Sequence, residues 1–227
     1  MITGLVPVLL PRQLPLGADD LRDPGTCNRP GPLVDESGSF TVSAQVQLDK
    51  AELATKPVGY QAQVAGQRAG HESSWALWVT KRGEDAYQWK FTRTAVDATG
   101  KVSQSAEVAP LGELAAVDTW VDVTGVFDAQ EAWDWTDPAD ETRTETRFGK
   151  LRLYTSSSPV TDEAGKAGFT AGQQGNGELS VGRGTAAGST AHYLPGSLQK
   201  LRIWAGAMSD EQVSSQVVDA DALSSTP

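Results

Sequence analysis

Residues 194–213 read L-P-G-S-L-Q-K-L-R-I-W-A-G-A-M-S-D-E-Q-V, a turn, a strand and a helix start in a single run. Pro195-Gly196 is turn chemistry: proline presets φ, and glycine accepts the positive φ that can follow. Residues 198–205 then alternate, with Leu201, Ile203 and Ala205 on one face and Lys200, Arg202 and Trp204 on the other. Gly206 ends the strand. Ser209 stands three residues before Gln212, the spacing at which each side chain can bond the other's backbone N–H. Met208 and Val213 flank that box as a hydrophobic staple, and Asp210 and Glu211 place negative charge at the positive end of the helix dipole. The run therefore predicts a sheet strand followed at once by a short capping helix.

Working outward, residues 38–49 show the clearest period of two. Phe40, Val42, Ala44, Val46 and Leu48 alternate with Thr41, Ser43, Gln45 and Gln47, a half-buried antiparallel strand. Residues 60–66 read as a second strand. Residues 75–80 and 87–93 read as a hairpin, with Trp75, Leu77 and Val79 facing Tyr87, Trp89 and Phe91. Further strands are expected at 101–108, 119–129, 151–155 and 177–184. Five tryptophans fall on strands, Trp75, Trp89 and Trp120 expected inward and Trp78 and Trp204 outward. About eight to twelve short strands between Gly, Pro, Asn and Asp turns make an all-β sandwich by pattern alone.

Residues 194–213 resemble the closing strand of LamG-like jellyroll domains, within the concanavalin A-like lectin/glucanase superfamily. The family phrase G-S-[LI]-D-D-[VL]-R-[VI]-[YW]-x-x-[AG]-[LM]-[ST]-x-E-[EQ]-[VI] is met by Gly196, Ser197, Leu198, Leu201, Arg202, Ile203, Trp204, Ala207, Met208, Ser209, Glu211, Gln212 and Val213. Gln199-Lys200 departs from it where the family has acidic residues, so any role of those acids, metal binding included, does not carry over. S-F-T-V-S-A-Q-V is similar to the family's S-F-T-V-S-A-W-V, with Gln45 in place of a frequent outward Trp. T-W-V-D-V-T-G-V-F-D, L-R-L-Y-T and G-E-L-S-V-G-R-G match later strands, and the resemblance spans roughly residues 30–218. It implies an antiparallel two-sheet jellyroll sandwich with one short C-terminal helix, of the kind found in large secreted actinobacterial proteins.

The expected organisation is an irregular Pro/Gly-rich arm or truncated first strand over 1–37, the jellyroll over 38–220 and a tail over 221–227. Six prolines in the arm disfavour a long helix or central strand there. The net charge of −10 disfavours nucleic acid, whose phosphates need a basic face. One cysteine, Cys27, excludes an intramolecular disulfide. No apolar run is long enough for a membrane span, and the N-terminus lacks a basic region and a clear cleavage site, so no signal peptide is recognisable.

Glycan hydrolysis on this fold needs two carboxylates about 5–5.5 Å apart on a strand, and the strands carry no such phrase. His71 and His192, the two histidines, are too far apart in sequence for a zinc motif and accompany no nucleophile signature. His71 reads as a loop residue beside Gly70, and His192 as an aromatic neighbour of Tyr193. The glycine-rich G-Q-Q-G-N-G and G-R-G-T-A-A-G lack the Lys-Ser/Thr pair of a phosphate loop. A non-enzyme is expected, with no catalytic residues.

The remaining feature is the connection 130–150, with E-A-W-D-W-T-D-P-A-D-E followed by the alternating T-R-T-E-T-R of an exposed edge ribbon. Trp133, Asp134, Trp135, Asp137 and Asp140 are the candidate ligand-binding residues: indoles offer flat apolar faces to sugar rings or a protein partner, and acids can bond hydroxyls. Extended backbone would place both tryptophans on one side. Asp128, Asp134 and Asp137 are the candidate calcium ligands, since that ion takes several oxygens, although the stretch lacks EF-hand spacing and a solvated acidic loop is the simpler account. No cofactor is required. The expected function is a non-catalytic extracellular recognition module for carbohydrate or another surface ligand. The alternative is a structural, decoration or adhesion module of a secreted protein, cell surface or phage-like particle, attached to a larger assembly through residues 1–37.

Overall fold

The computed structural model describes residues 12–13, 35–97, 102–109, 115–137, 139–155, 158–159, 175, 177–186 and 189–215. Cys27 lies outside them. The chain is an all-β antiparallel sandwich. The strands are β1 (Arg12–Gln13), β2 (Phe40–Leu48), β3 (Gln61–Ala69), β4 (Glu72–Lys81), β5 (Tyr87–Val96), β6 (Val102–Val108), β7 (Trp120–Asp137), β8 (Asp140–Thr155), β9 (Ser158–Pro159), β10 (Leu179–Val181), β11 (Gly184–Ala186), β12 (Ser189–Ala191) and β13 (Gly196–Ala205). A six-stranded sheet runs β1-β13-β2-β7-β8-β9, a five-stranded sheet runs β10-β3-β4-β5-β6, and β11 and β12 form a separate ribbon.

The alternating sets read from the sequence build the core. Phe40, Val42, Val46 and Leu48 face Trp75, Leu77, Trp89 and Phe91 across the two sheets, all buried. The β4–β5 register pairs Trp75 with Arg93, Leu77 with Phe91 and Val79 with Trp89. Phe40 is the hub: its ring lies 5.6 Å from Trp75, 5.7 Å from Phe127 and 6.2 Å edge-on from Phe91. Gly125 sits between the inward residues Val123 and Phe127, and a Cβ there would come within 2.6 Å of the Phe91 ring. The glycine is needed for that close approach.

Arg93 is the polar exception inside. Its guanidinium is fully buried, 4.7 Å from the Phe127 ring centroid and 5.3 Å from that of Phe40. Its Nη1 donates to Glu36 Oε2 at 2.9 Å and its Nη2 to the Glu36 carbonyl at 2.7 Å. Ser74 Oγ donates to Glu36 Oε1 at 2.9 Å. Burial pushes the Glu36 carboxyl above its ordinary range against the opposing pull of Arg93 and Ser74. Nothing in the alternation around Glu36 announces this partnership.

Two local features differ from a plain reading of the sequence. A five-residue helix, α1 (Lys50–Ala54), follows β2; Asp49 caps it by accepting from Glu52 N, and the buried Lys81 ammonium donates to the carbonyls of Leu53, Ala54 and Lys56 at its far end. Cations are favoured there by the helix dipole. In β13 the register shifts between Gln199 and Arg202, where Lys200 takes φ 52°. This bulge turns Leu198 inward with Leu201 and Ile203, which strict alternation would not do.

The helix start read at Ser209 is present as α2 (residues 210–215 of the described chain). Ser209 N donates to Gln212 Oε1 at 2.9 Å and Gln212 N to Ser209 Oγ at 3.3 Å. Met208 and Val213 pack with Val126, Tyr154 and Trp204 in a second cluster on the outer face of the six-stranded sheet. Trp204 therefore points outward, as expected, and is then buried by the helix.

Candidate functional site

The connection expected between 130 and 150 is strand for most of its length. β2 covers β7 only as far as the Phe40–Phe127 pair, and β9 covers β8 only at Tyr154 and Thr155. From the Ala132–Phe148 pair outward, β7 and β8 pair only with each other among the described residues. They form a two-stranded ribbon about 17 Å long at roughly 3.4 Å per residue. Alternating threonines and charges in 142–147 suit that pairing, because β-branched side chains fit a pleated surface and charges discourage edge-to-edge aggregation. Its surface is open: Phe148 is 52% exposed.

Trp133 pairs with Arg147 and Trp135 with Glu145, so the extended backbone places the two tryptophans on one face of the ribbon. The side chains of Trp133, Trp135 and Asp137 lie outside the described residues. Asp134 belongs to the opposite face, where its Oδ1 accepts from Thr146 Oγ1 at 3.2 Å. Asp140 closes the tip: its Oδ1 accepts from Thr142 Oγ1 at 2.7 Å and Thr142 N at 3.1 Å, and these bonds hold its carboxyl below the usual range.

Asp128 is at the base, in the irregular stretch where the β7–β8 register shifts. Its Oδ1 accepts from Ser39 Oγ, Gln130 N and Glu131 N. The neighbouring Glu131 takes Lys150 Nζ at 2.6 Å. Among the described residues no three His, Cys, Asp or Glu side chains are grouped to hold a metal ion. The three candidate calcium ligands are strung from base to tip.

Arg152 ties the ribbon base to α2. Its Nη2 donates to the Met208 carbonyl at 3.0 Å, and its guanidinium lies 3.5 Å from Asp210 and 3.9 Å from Asp128. Tyr154 donates its hydroxyl to Asp210 Oδ1 at 2.7 Å; burial first, then that bond, push the phenol above its ordinary value. The ribbon thus grows from a braced base.

Trp120 corrects an expectation. It was expected inward, yet it is 40% exposed and pairs in register with Gln47. Val121 and Val123 take the inward positions, and Trp120, Asp122 and Thr124 share the outer face. The signal was in the sequence: Trp120 has the parity of polar residues. Beside it stand Gln45 and Gln47 of β2 and Gln199 of β13, with Gln199 Nε2 donating to Gln45 Oε1 at 2.6 Å. Gln47 Nε2 donates to the Asp118 carbonyl at 3.2 Å.

Trp78 faces outward from the other sheet and is half-buried, its Nε1 donating to Thr92 Oγ1 at 2.9 Å. The His192 ring lies edge-on 5.3 Å from it and its Nδ1 is 3.1 Å from the Gln61 carbonyl. His192 therefore braces Trp78, a contact the sequence did not suggest. His71 is exposed beside Gly70, which has φ 61°, as expected of a turn.

No protein-family model matches this sequence, and no curated protein matches it. Solved structures of similar shape include Trypanosoma rangeli sialidase with a covalently bound difluorosialic acid, at a TM-score of 0.51 and 10% identity over 84% of this chain and 24% of that one. The receptor-binding domain of botulinum neurotoxin type G has a TM-score of 0.48 and 10% identity over 80% of this chain and 38% of that one. Domain 4 of a GH43 extracellular arabinanase from Geobacillus stearothermophilus, in complex with arabinotriose, has 0.40 and 10% over 79% and 68%. This chain spans well under half the length of the first two. The sialidase likeness supports the β-sandwich fold; function must be argued from the residues.

Proposed function

We propose that this chain is a LamG-like, non-catalytic recognition module of the extracellular or surface environment that binds a carbohydrate chain through the β7–β8 ribbon. The observation that carries the reading is the ribbon itself: a braced, exposed hairpin with Trp133 and Trp135 on one face and Asp134 on the other. A two-stranded ribbon beyond the core adds little buried apolar area and is marginal by itself, so presentation of its side chains is the role that accounts for it. The jellyroll over 38–220 is the scaffold, with residues 1–37 as an attachment arm and 221–227 as a tail. No described helix is long and apolar enough to cross a membrane.

A glycan-array screen of the purified chain, run with calcium and again with chelator, tests this. Binding to a defined glycan class that disappears in Trp133→Ala/Trp135→Ala at unchanged melting temperature is the expected result. A calcium-dependent signal would place Asp128, Asp134 or Asp137 in the site. A blank array in both conditions overturns glycan recognition and leaves the structural reading, for which the pairing of β1 with the outer edge of β13 offers a mode of attachment.

A further inference from the structure

We propose that the open half of the six-stranded sheet's outer face, centred on Trp120, is a second binding site of this module, for a neutral carbohydrate chain. The inference rests on the recognition reading above and gives it a place separate from the ribbon. The register sets Gln199, Gln45 and Asp122 side by side in one row, and Ser197, Gln47 and Trp120 in the next. With strands about 4.8 Å apart and same-face residues about 6.7 Å apart, the two rows cover about 10 by 7 Å, the scale of one or two sugar rings.

The chemistry of the patch selects its ligand. Each amide both donates and accepts, as a sugar hydroxyl does. The Gln199-to-Gln45 bond leaves the Gln45 amide N–H groups and the Gln199 carbonyl without a protein partner among the described residues. Gln47 spends its amide on the Asp118 carbonyl and keeps its own oxygen as an acceptor. Beside these, the exposed Trp120 indole supplies the flat apolar surface against which the C–H face of a pyranose ring packs. The net charge of −10 opposes polyanionic glycans and leaves neutral ones. The other half of this face is closed by α2 over Tyr154 and Trp204, whereas the Trp120 half has no such cover among the described residues.

The test is calorimetric titration of the full chain with hexamers of β-1,4-linked glucose, xylose and mannose. At least one should bind, Trp120→Ala should weaken it tenfold or more at unchanged melting temperature, and Gln199→Ala should weaken it several-fold. Trp133→Ala/Trp135→Ala should leave that binding in place. Failure of all three hexamers to bind overturns this site while array binding through the ribbon would stand. Hexamer binding lost in the ribbon variant and kept in Trp120→Ala overturns this site and supports the ribbon alone. A concentration-dependent dimer that Trp120→Ala dissociates, with no hexamer bound, assigns the face to a second copy of the chain and also overturns the proposal.

Discussion

Replacing Arg93 by Met is expected to be among the most damaging single changes to this protein. The methionine refills the slot between Phe40 and Phe127, so little cavity results, but Glu36 is left buried without its guanidinium. Breaking a fully buried pair from one side costs about 3–5 kcal/mol, because a charged or newly protonated carboxyl stays in an apolar site. The Glu36→Leu variant removes the carboxylate but leaves the guanidinium its bond to the residue-36 carbonyl and its place between the Phe40 and Phe127 rings, so its cost should fall at the lower end of that range, about 3 kcal/mol. Against a total stability on the order of 5–15 kcal/mol, either change removes a large share. With a urea m-value of about 2 kcal/mol/M, the midpoint should fall by about 1.5–2.5 M. The double variant Glu36→Leu/Arg93→Met removes both charges and should recover most of the loss, giving a coupling energy of at least about 2 kcal/mol in a double-mutant cycle. Urea unfolding followed by tryptophan fluorescence measures all four proteins. Single variants costing less than about 1 kcal/mol, or a double variant equal to the sum of the singles, would refute the reasoning.

Three further outcomes follow from named contacts. Gly125→Ala drives a methyl into the Phe91 ring and should destabilise by about 1–3 kcal/mol; adding Phe91→Leu should relieve part of that in the same urea assay. Tyr154 stays protonated in the folded chain above the pH at which an ordinary phenol of value 10.0 ionises. Its contribution to stability is therefore fully present below pH 10 and is lost as pH rises beyond it, and Tyr154→Phe should flatten that alkaline decline, read from melting temperatures across the pH range. Ser209→Ala removes the hydroxyl that accepts from Gln212 N and should cost about 1 kcal/mol, measured by urea unfolding.

The legible parts of this molecule are those whose cause is local. The Ser209–Gln212 box involves neighbours in sequence and is present as read, and the staple of Met208 and Val213 follows from the same few residues. The β4–β5 hairpin and its inward sets were readable because two alternating runs flank a short polar turn, whereas the register, which pairs Trp75 with Arg93, was not. The ribbon was half legible: threonines and charges alternate in 142–147, but the tryptophans, acids and Pro138 before them look like a loop until their pairing partners are known. Trp120 was misassigned because indoles are usually counted as core; its parity with Asp122 and Thr124 was the better guide. Glu36 and Arg93 meet only after the sandwich closes, and the bulge at Lys200 is set by the neighbouring strand, so neither leaves a periodic trace. Of the candidate site, the common face of Trp133 and Trp135 was readable, whereas the partnership of Asp128 with Ser39 and Arg152 depends on distant chain.

The central claim, that the sandwich is a scaffold presenting the β7–β8 ribbon, is tested most directly by shortening the ribbon. Residues 132–148 are replaced by a two-residue Asn-Gly turn, and retention on insoluble and immobilised polysaccharides that bind the intact chain is compared. The account predicts that the shortened protein keeps a cooperative melt within a few degrees of the original and loses retention on the ribbon's ligand. A shortened protein retained as well as the intact chain on every polysaccharide that binds the intact chain, or one that no longer folds, would contradict it.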